Sequence, residues 1–64
     1  MVLTAQGEAY RQEIIENLNT AISMLNTSKA DLANEKGVGV ELLIKEIDNQ
    51  IIKCVAALAC VRGI

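Results

Sequence analysis

The fold is decided at Lys36-Gly37-Val38-Gly39, the one strong break inside the chain. There is no proline among the 64 residues, and the other two glycines, Gly7 and Gly63, lie near the two ends. Two glycines this close together favour a turn, whereas the segments on either side carry apolar residues at helical spacing. The sequence therefore predicts one domain made of two helices and a connecting turn.

The segment before the turn repeats apolar residues at steps of three and four. Its members are Ile15, Leu18, Ile22, Leu25 and Leu32, with Lys29 in the one polar position. At about 100° per residue they cover about a third of a helix circumference, with Ile14 and Ala21 on one border. This pattern predicts an amphipathic helix with one buried face.

The ends of the first helix are less regular than its middle. Thr4 can cap the helix with Gly7 inside its first turns, or the helix can begin only near Glu8, so we expect a frayed start. A cation followed by Gly37 favours an end near residues 34–36.

The segment after the turn keeps a four-three alternation, which is the spacing of a seam that packs against another helix. The seam consists of Val40, Ile44, Ile47, Ile51, Cys54, Leu58 and Val61. We therefore predict an all-α fold, an antiparallel two-helix hairpin over residues 1–64. The predicted elements are helix 1 (about 8–35), a turn (36–39) and helix 2 (about 40–62).

The second helix has more apolar surface than one neighbouring helix can cover. Leu43 lies on one border of its seam, whereas Ile52, Val55 and Ala59 extend the seam on the other border. Residues 54–61 are apolar on every side, and a helix of that kind is normally buried. Since a domain of this size has a marginal core, we expect another chain to complete it. Leu43, Ile52, Val55 and Ala59 are the predicted partner-binding residues.

The composition disfavours catalysis and metal binding. The chain has no histidine, and Cys54 and Cys60 are its only cysteines. Six residues apart on a helix, they are too distant for a disulfide and too few for a four-ligand zinc site. The carboxylates stand among polar neighbours, as on a solvated helix face. We therefore expect no enzyme, no metal and no cofactor.

The charge and hydropathy patterns restrict the location and the partners. A net charge of −2 disfavours nucleic acid, because proteins that grip phosphates have an excess of Lys and Arg. The first residues do not show the basic and apolar pattern of a secretory signal. The longest uncharged apolar run, residues 54–61, is far shorter than the roughly 20 residues that cross a bilayer. We expect a cytoplasmic protein with reduced cysteines and no membrane insertion.

Two stretches resemble the YscE/PscE family of small type III secretion co-chaperones. They are Leu18-x-x-Ala21-Ile22-Ser23-x-Leu25 and Ile51-x-x-Cys54-Val55-Ala56-Ala57-Leu58-x-x-Val61-x-Gly63. The resemblance extends from Arg11 onward, although the turn region is a few residues longer than the family pattern. It implies a bacterial cytoplasmic virulence protein that pairs with a helical-repeat chaperone. The pair would keep the needle subunit monomeric before export.

Two alternatives share the predicted fold. One is a homo-oligomeric helical bundle that acts as a regulator and binds RNA or a nucleotide, which the negative charge disfavours. The other is a phage or plasmid protein that inhibits a host protein.

Overall fold

The computed structural model describes residues 2–64, which form two helices, α1 (Ala5–Leu32) and α2 (Val38–Arg62). The helices pack against each other in opposite directions and build a rod of 50 × 15 × 11 Å. The described part of the chain contains no strand. The predicted all-α hairpin is therefore confirmed.

Helix α1 begins at a well-formed cap. The Thr4 hydroxyl oxygen accepts a hydrogen bond from the Gly7 backbone N–H at 3.0 Å, and the Glu8 N–H donates to the Thr4 carbonyl at 2.9 Å. A side-chain cap of this kind satisfies a backbone donor that would otherwise lack a partner in the first turn. The helix consequently starts at Ala5, three residues before the predicted position.

The turn occupies residues 33–37, whereas the sequence predicted 36–39. Helix α1 ends at Leu32, where the Ala33 N–H is shared between the carbonyls of Lys29 at 3.0 Å and Ala30 at 3.3 Å. Gly37 has φ 135° and ψ 162°, a conformation that is essentially restricted to glycine. Because this single residue supplies the unusual backbone angle, Gly39 is free to join the first turn of α2.

The core lies along the line where the two helices meet. Leu58 is buried, with 7% of its surface exposed, and the other seam residues predicted from the sequence are half-buried. The structure exposes 4828 Å². A compact monomer of 6.9 kDa would expose only about 4,000 Å². The hairpin therefore leaves roughly 800 Å² more surface in contact with solvent than a compact monomer of its mass.

Candidate protein-interaction surfaces

The open end of the hairpin, where α1 begins and α2 ends, is held by one arginine. Arg11 donates from Nε to the Val61 carbonyl at 3.1 Å and from Nη2 to the Arg62 carbonyl at 3.2 Å. Its Nη1 contacts Glu8 Oε1 at 2.7 Å. The guanidinium thus satisfies two carbonyls in the last turn of α2 and places a positive charge at the negative end of that helix.

This role of Arg11 was not predicted from the sequence, although a signal for it exists. Arg11 lies four residues before Ile15 and seven before Leu18, so it continues the seam of α1 by one step. A charged residue in a seam position close to the end of a neighbouring helix is well placed to reach that helix's free carbonyls.

The second polar contact between the helices lies nearer the turn. Lys29 Nζ donates to Asp48 Oδ1 at 2.7 Å, and both side chains are more than two-fifths exposed. At that exposure the pair stabilises the fold by at most about 1 kcal/mol. Its larger effect is on register, since sliding one helix along the other would separate the two charges.

Three of the predicted partner-binding residues lie together on α2. Ile52 is 66% exposed, Val55 is 51% exposed, and Ala59 is also exposed. Their spacing of three and four residues places them on one side of the helix within two turns. We call these three residues the α2 patch.

Leu43, the fourth predicted residue, does not belong to the α2 patch. It is 55% exposed, but it precedes Ile52 by nine residues. Nine residues turn a helix by about 180° more than two full turns and advance it by about 13 Å. Leu43 therefore points to the opposite side of the hairpin, and the four residues cannot form one continuous contact.

The side that carries Leu43 has a second row of uncharged residues on each helix. On α2 this row consists of Leu43, Gln50 and Ala57 together with the seam residues on the same border, Ile47, Cys54 and Val61. On α1 it consists of Tyr10, Ile14, Asn17, Ala21, Met24 and Ser28. We call the two rows together the uncharged face.

Both rows lie on the same side of the hairpin for a geometric reason. The centre of each row is rotated from the centre of its own seam in the same sense, and two right-handed helices that run antiparallel bring such rows to one side. The contacts agree, because Tyr10 and Ile14 from α1 line a common cavity with Val61 from α2. The other side of the hairpin carries the α2 patch, the Lys29–Asp48 pair and further charged residues.

The uncharged face has several large exposed side chains. Tyr10 is 56% exposed, Ile14 45% and Met24 65%, in addition to Leu43. Exposed apolar groups gathered on one face are typical of interaction surfaces. Sequence reasoning placed Ile14 and Ala21 on the border of the α1 seam but did not join them to Leu43.

A shallow apolar cavity of about 190 Å³ opens at one end of the uncharged face. Its lining consists of Leu3, Gly7, Tyr10, Arg11, Ile14, Val61 and Ile64. It is smaller than the roughly 300–1,000 Å³ of ordinary small-molecule sites. Its size and apolar lining suit a protruding side chain of another protein better than a cofactor.

The chemistry of the described residues is otherwise sparse. Cys54 is half-buried and Cys60 is exposed, and both thiols are free. Residues 2–64 contain no cluster of three or more potential metal ligands. Within the same residues, neither helix has the length and hydropathy required to span a bilayer.

Comparison with known proteins yields no relative. No protein-family model matches this chain, and no curated protein or solved structure matches it either. The function is therefore inferred from the two sides of the hairpin and from the resemblance noted in the sequence.

Proposed function

We propose that this chain is a protein-binding hairpin whose α2 patch contacts an apolar helical surface of a larger partner. The observation that carries the proposal is the exposure of Ile52 and Val55. Val55 belongs to residues 54–61, an uncharged stretch that α1 covers on one side only, and Ile52 lies just before it. Apolar side chains in such a position stabilise a complex when a partner removes them from water.

The shape of the patch favours a helix as the partner element. Ala56 and Ala59 are small and exposed, so a second backbone can approach α2 closely just beyond the larger Ile52 and Val55. An apolar helix face that rests in a groove of a helical protein is a recurring mode of recognition. Charged groups such as Asp48 and Arg62 flank the patch and would form the polar rim of the interface.

The more specific proposal is a co-chaperone of a type III secretion system in the bacterial cytoplasm. It is supported by the YscE/PscE-like residues, several of which lie in the last four turns of α2 beside the patch. In this role the hairpin would stabilise a helical-repeat chaperone, and the two together would keep the needle subunit monomeric. No catalytic step is involved.

Val55→Asp tests the proposal. The purified hairpin is mixed with a helical-repeat chaperone of a type III secretion system, and binding is measured by titration calorimetry. We expect Val55→Asp to abolish binding, because an aspartate would be desolvated in the contact without a partner. Far-UV circular dichroism should show unchanged helicity, since Val55 is 51% exposed in the hairpin.

Leu42→Asp is the matched control. Leu42 is 63% exposed on the same helix, but it lies about 20 Å before Val55 along the axis and on another side. The control should bind like the wild type. Equal binding by Val55→Asp and the wild type would refute the role of the patch. Failure of the wild type to bind the chaperone would refute the co-chaperone assignment.

A further inference from the structure

We propose that the uncharged face binds the same face of a second copy of this chain, so that two hairpins form a symmetric four-helix bundle. This inference does not depend on the proposed function, because the α2 patch lies on the other side. The two surfaces can be tested by separate substitutions.

The absence of charge makes this face suitable for self-association. In a two-fold symmetric dimer each surface meets an identical surface, so a net charge on one surface would face the same net charge on the other and repel it. None of the residues in the two rows is charged. Arg11 lines the cavity at one end of the face and is engaged by the carbonyls of α2. The other nearby charged residues, Glu13, Asp31, Glu46 and Lys53, lie about 110–150° from the seams and would border the interface. Charged residues are typically found at the rim of interfaces and are depleted at their centre.

The available area agrees with a dimer. The broad side of the rod measures 50 × 15 Å, which corresponds to roughly 750 Å² per copy and roughly 1,500 Å² in total. Stable interfaces bury about 1,200–2,000 Å² in total. The roughly 800 Å² by which one hairpin exceeds the surface of a compact monomer is of the same size as one copy's share.

The residue types along the rows suit helix packing. Each row advances by steps of three and four, the spacing by which helices in bundles interdigitate. Small residues, Ala21 on α1 and Ala57 on α2, are interspersed with the larger Ile14, Met24 and Leu43. Asn17 is near the middle of α1, and a polar residue at such a position fixes the alignment of associating helices.

The test is the mass of the purified full chain in reducing buffer, measured by size-exclusion chromatography with light scattering. The chain is loaded at about 100 µM, a concentration at which a dimer with a micromolar dissociation constant is populated. The reductant prevents the exposed Cys60 from linking two chains. We expect twice the 6.9 kDa of one chain. Met24→Glu and Leu43→Glu should each reduce the mass to that of one chain while helicity is kept, because both side chains are exposed in the single hairpin.

Ile52→Glu is the matched control, since Ile52 is 66% exposed on the opposite side. It should leave the mass at two copies. A wild-type chain of single-copy mass would overturn the proposal and leave an unrelated protein helix as the occupant of this face. A dimer that Ile52→Glu disrupts, or that both Met24→Glu and Leu43→Glu leave intact, would overturn the assignment to the uncharged face. These mass measurements do not test chaperone binding through Val55, which the titration of Val55→Asp tests separately.

Discussion

Replacing Arg11 by alanine should destabilise the hairpin more than its position near one end suggests. The substitution removes the hydrogen bonds of 3.1 Å and 3.2 Å to the carbonyls of Val61 and Arg62. It also removes a positive charge from the carboxyl end of α2, which is worth about 0.3–1 kcal/mol. The last turn of α2 then loses these hydrogen bonds to α1 and keeps only apolar contacts such as those around Val61.

The magnitude follows from these contacts. A hydrogen bond to a charged group contributes about 1.5–3 kcal/mol when it is buried. The Arg11 side chain is 19% exposed, and one of the two bonds lies at an exposed site, so water can replace part of the loss. We therefore expect Arg11→Ala to lower the free energy of unfolding by about 2 kcal/mol in total. That is a large share of the stability of a small domain.

Glu8→Ala is the matched control, because it removes the 2.7 Å ion pair with Arg11 but leaves both bonds to α2. Because the Glu8 side chain is 49% exposed, this pair, three residues apart, contributes only about 0.5 kcal/mol. Urea denaturation followed by circular dichroism measures both variants, and protein concentration must be equal because association adds to apparent stability. Hydrogen exchange supplies a local measure, since the Gly63 amide, which donates to the Ala59 carbonyl at 3.1 Å, should exchange faster in Arg11→Ala.

If Arg11→Ala and Glu8→Ala lower the free energy of unfolding by the same amount within about 0.3 kcal/mol, the bonds from Arg11 to α2 do not contribute as expected. The arginine would then act only through its own helix.

Two further predictions concern the core and the turn. Leu58 is only 7% exposed, so Leu58→Ala should lower the free energy of unfolding by about 2–5 kcal/mol and lower the temperature at which helicity is lost in a thermal melt. Leu58→Met should lower the free energy of unfolding by less than about 1.5 kcal/mol. Gly37→Ala should lower the free energy of unfolding by about 1–3 kcal/mol, because φ is 135° there. Gly39→Ala should instead raise it by up to about 1 kcal/mol, since Gly39 is helical and has open space around it. Equal effects of the two glycine substitutions in urea titrations would contradict the assigned turn.

The sequence predicts the hairpin well because its decisive signals are local. The seam that contains Leu18 on α1 and the seam that contains Leu58 on α2 follow from the helical period alone. The structure agrees, because the residues of both seams are at least half-buried. The helix ends were harder to predict, because Ala33 and Gly39 are compatible with either helix or turn. Hydrogen bonding and the single positive φ at Gly37 decide between those conformations.

The surfaces depend on information that no single segment contains. The helical period alone places Leu43 opposite Ile52, whereas its position beside Tyr10 depends on the rotation of each helix and on the handedness of their packing. The sequence places Leu43 on the border of the α2 seam opposite Ile52, Val55 and Ala59, and grouping all four as one contact overlooked that separation. Pairing the helices reveals that the two sides of the hairpin differ in charge.

The antiparallel arrangement also has a consequence for the kinetics of encounter. The positive end of α1 lies beside the negative end of α2, so the two helix dipoles largely cancel at a distance. The net charge is only −2, and the long-range field of the rod is correspondingly weak. Partners would find this protein by unsteered diffusion, at about 10⁵–10⁶ M⁻¹s⁻¹, and the association rate would change little with salt.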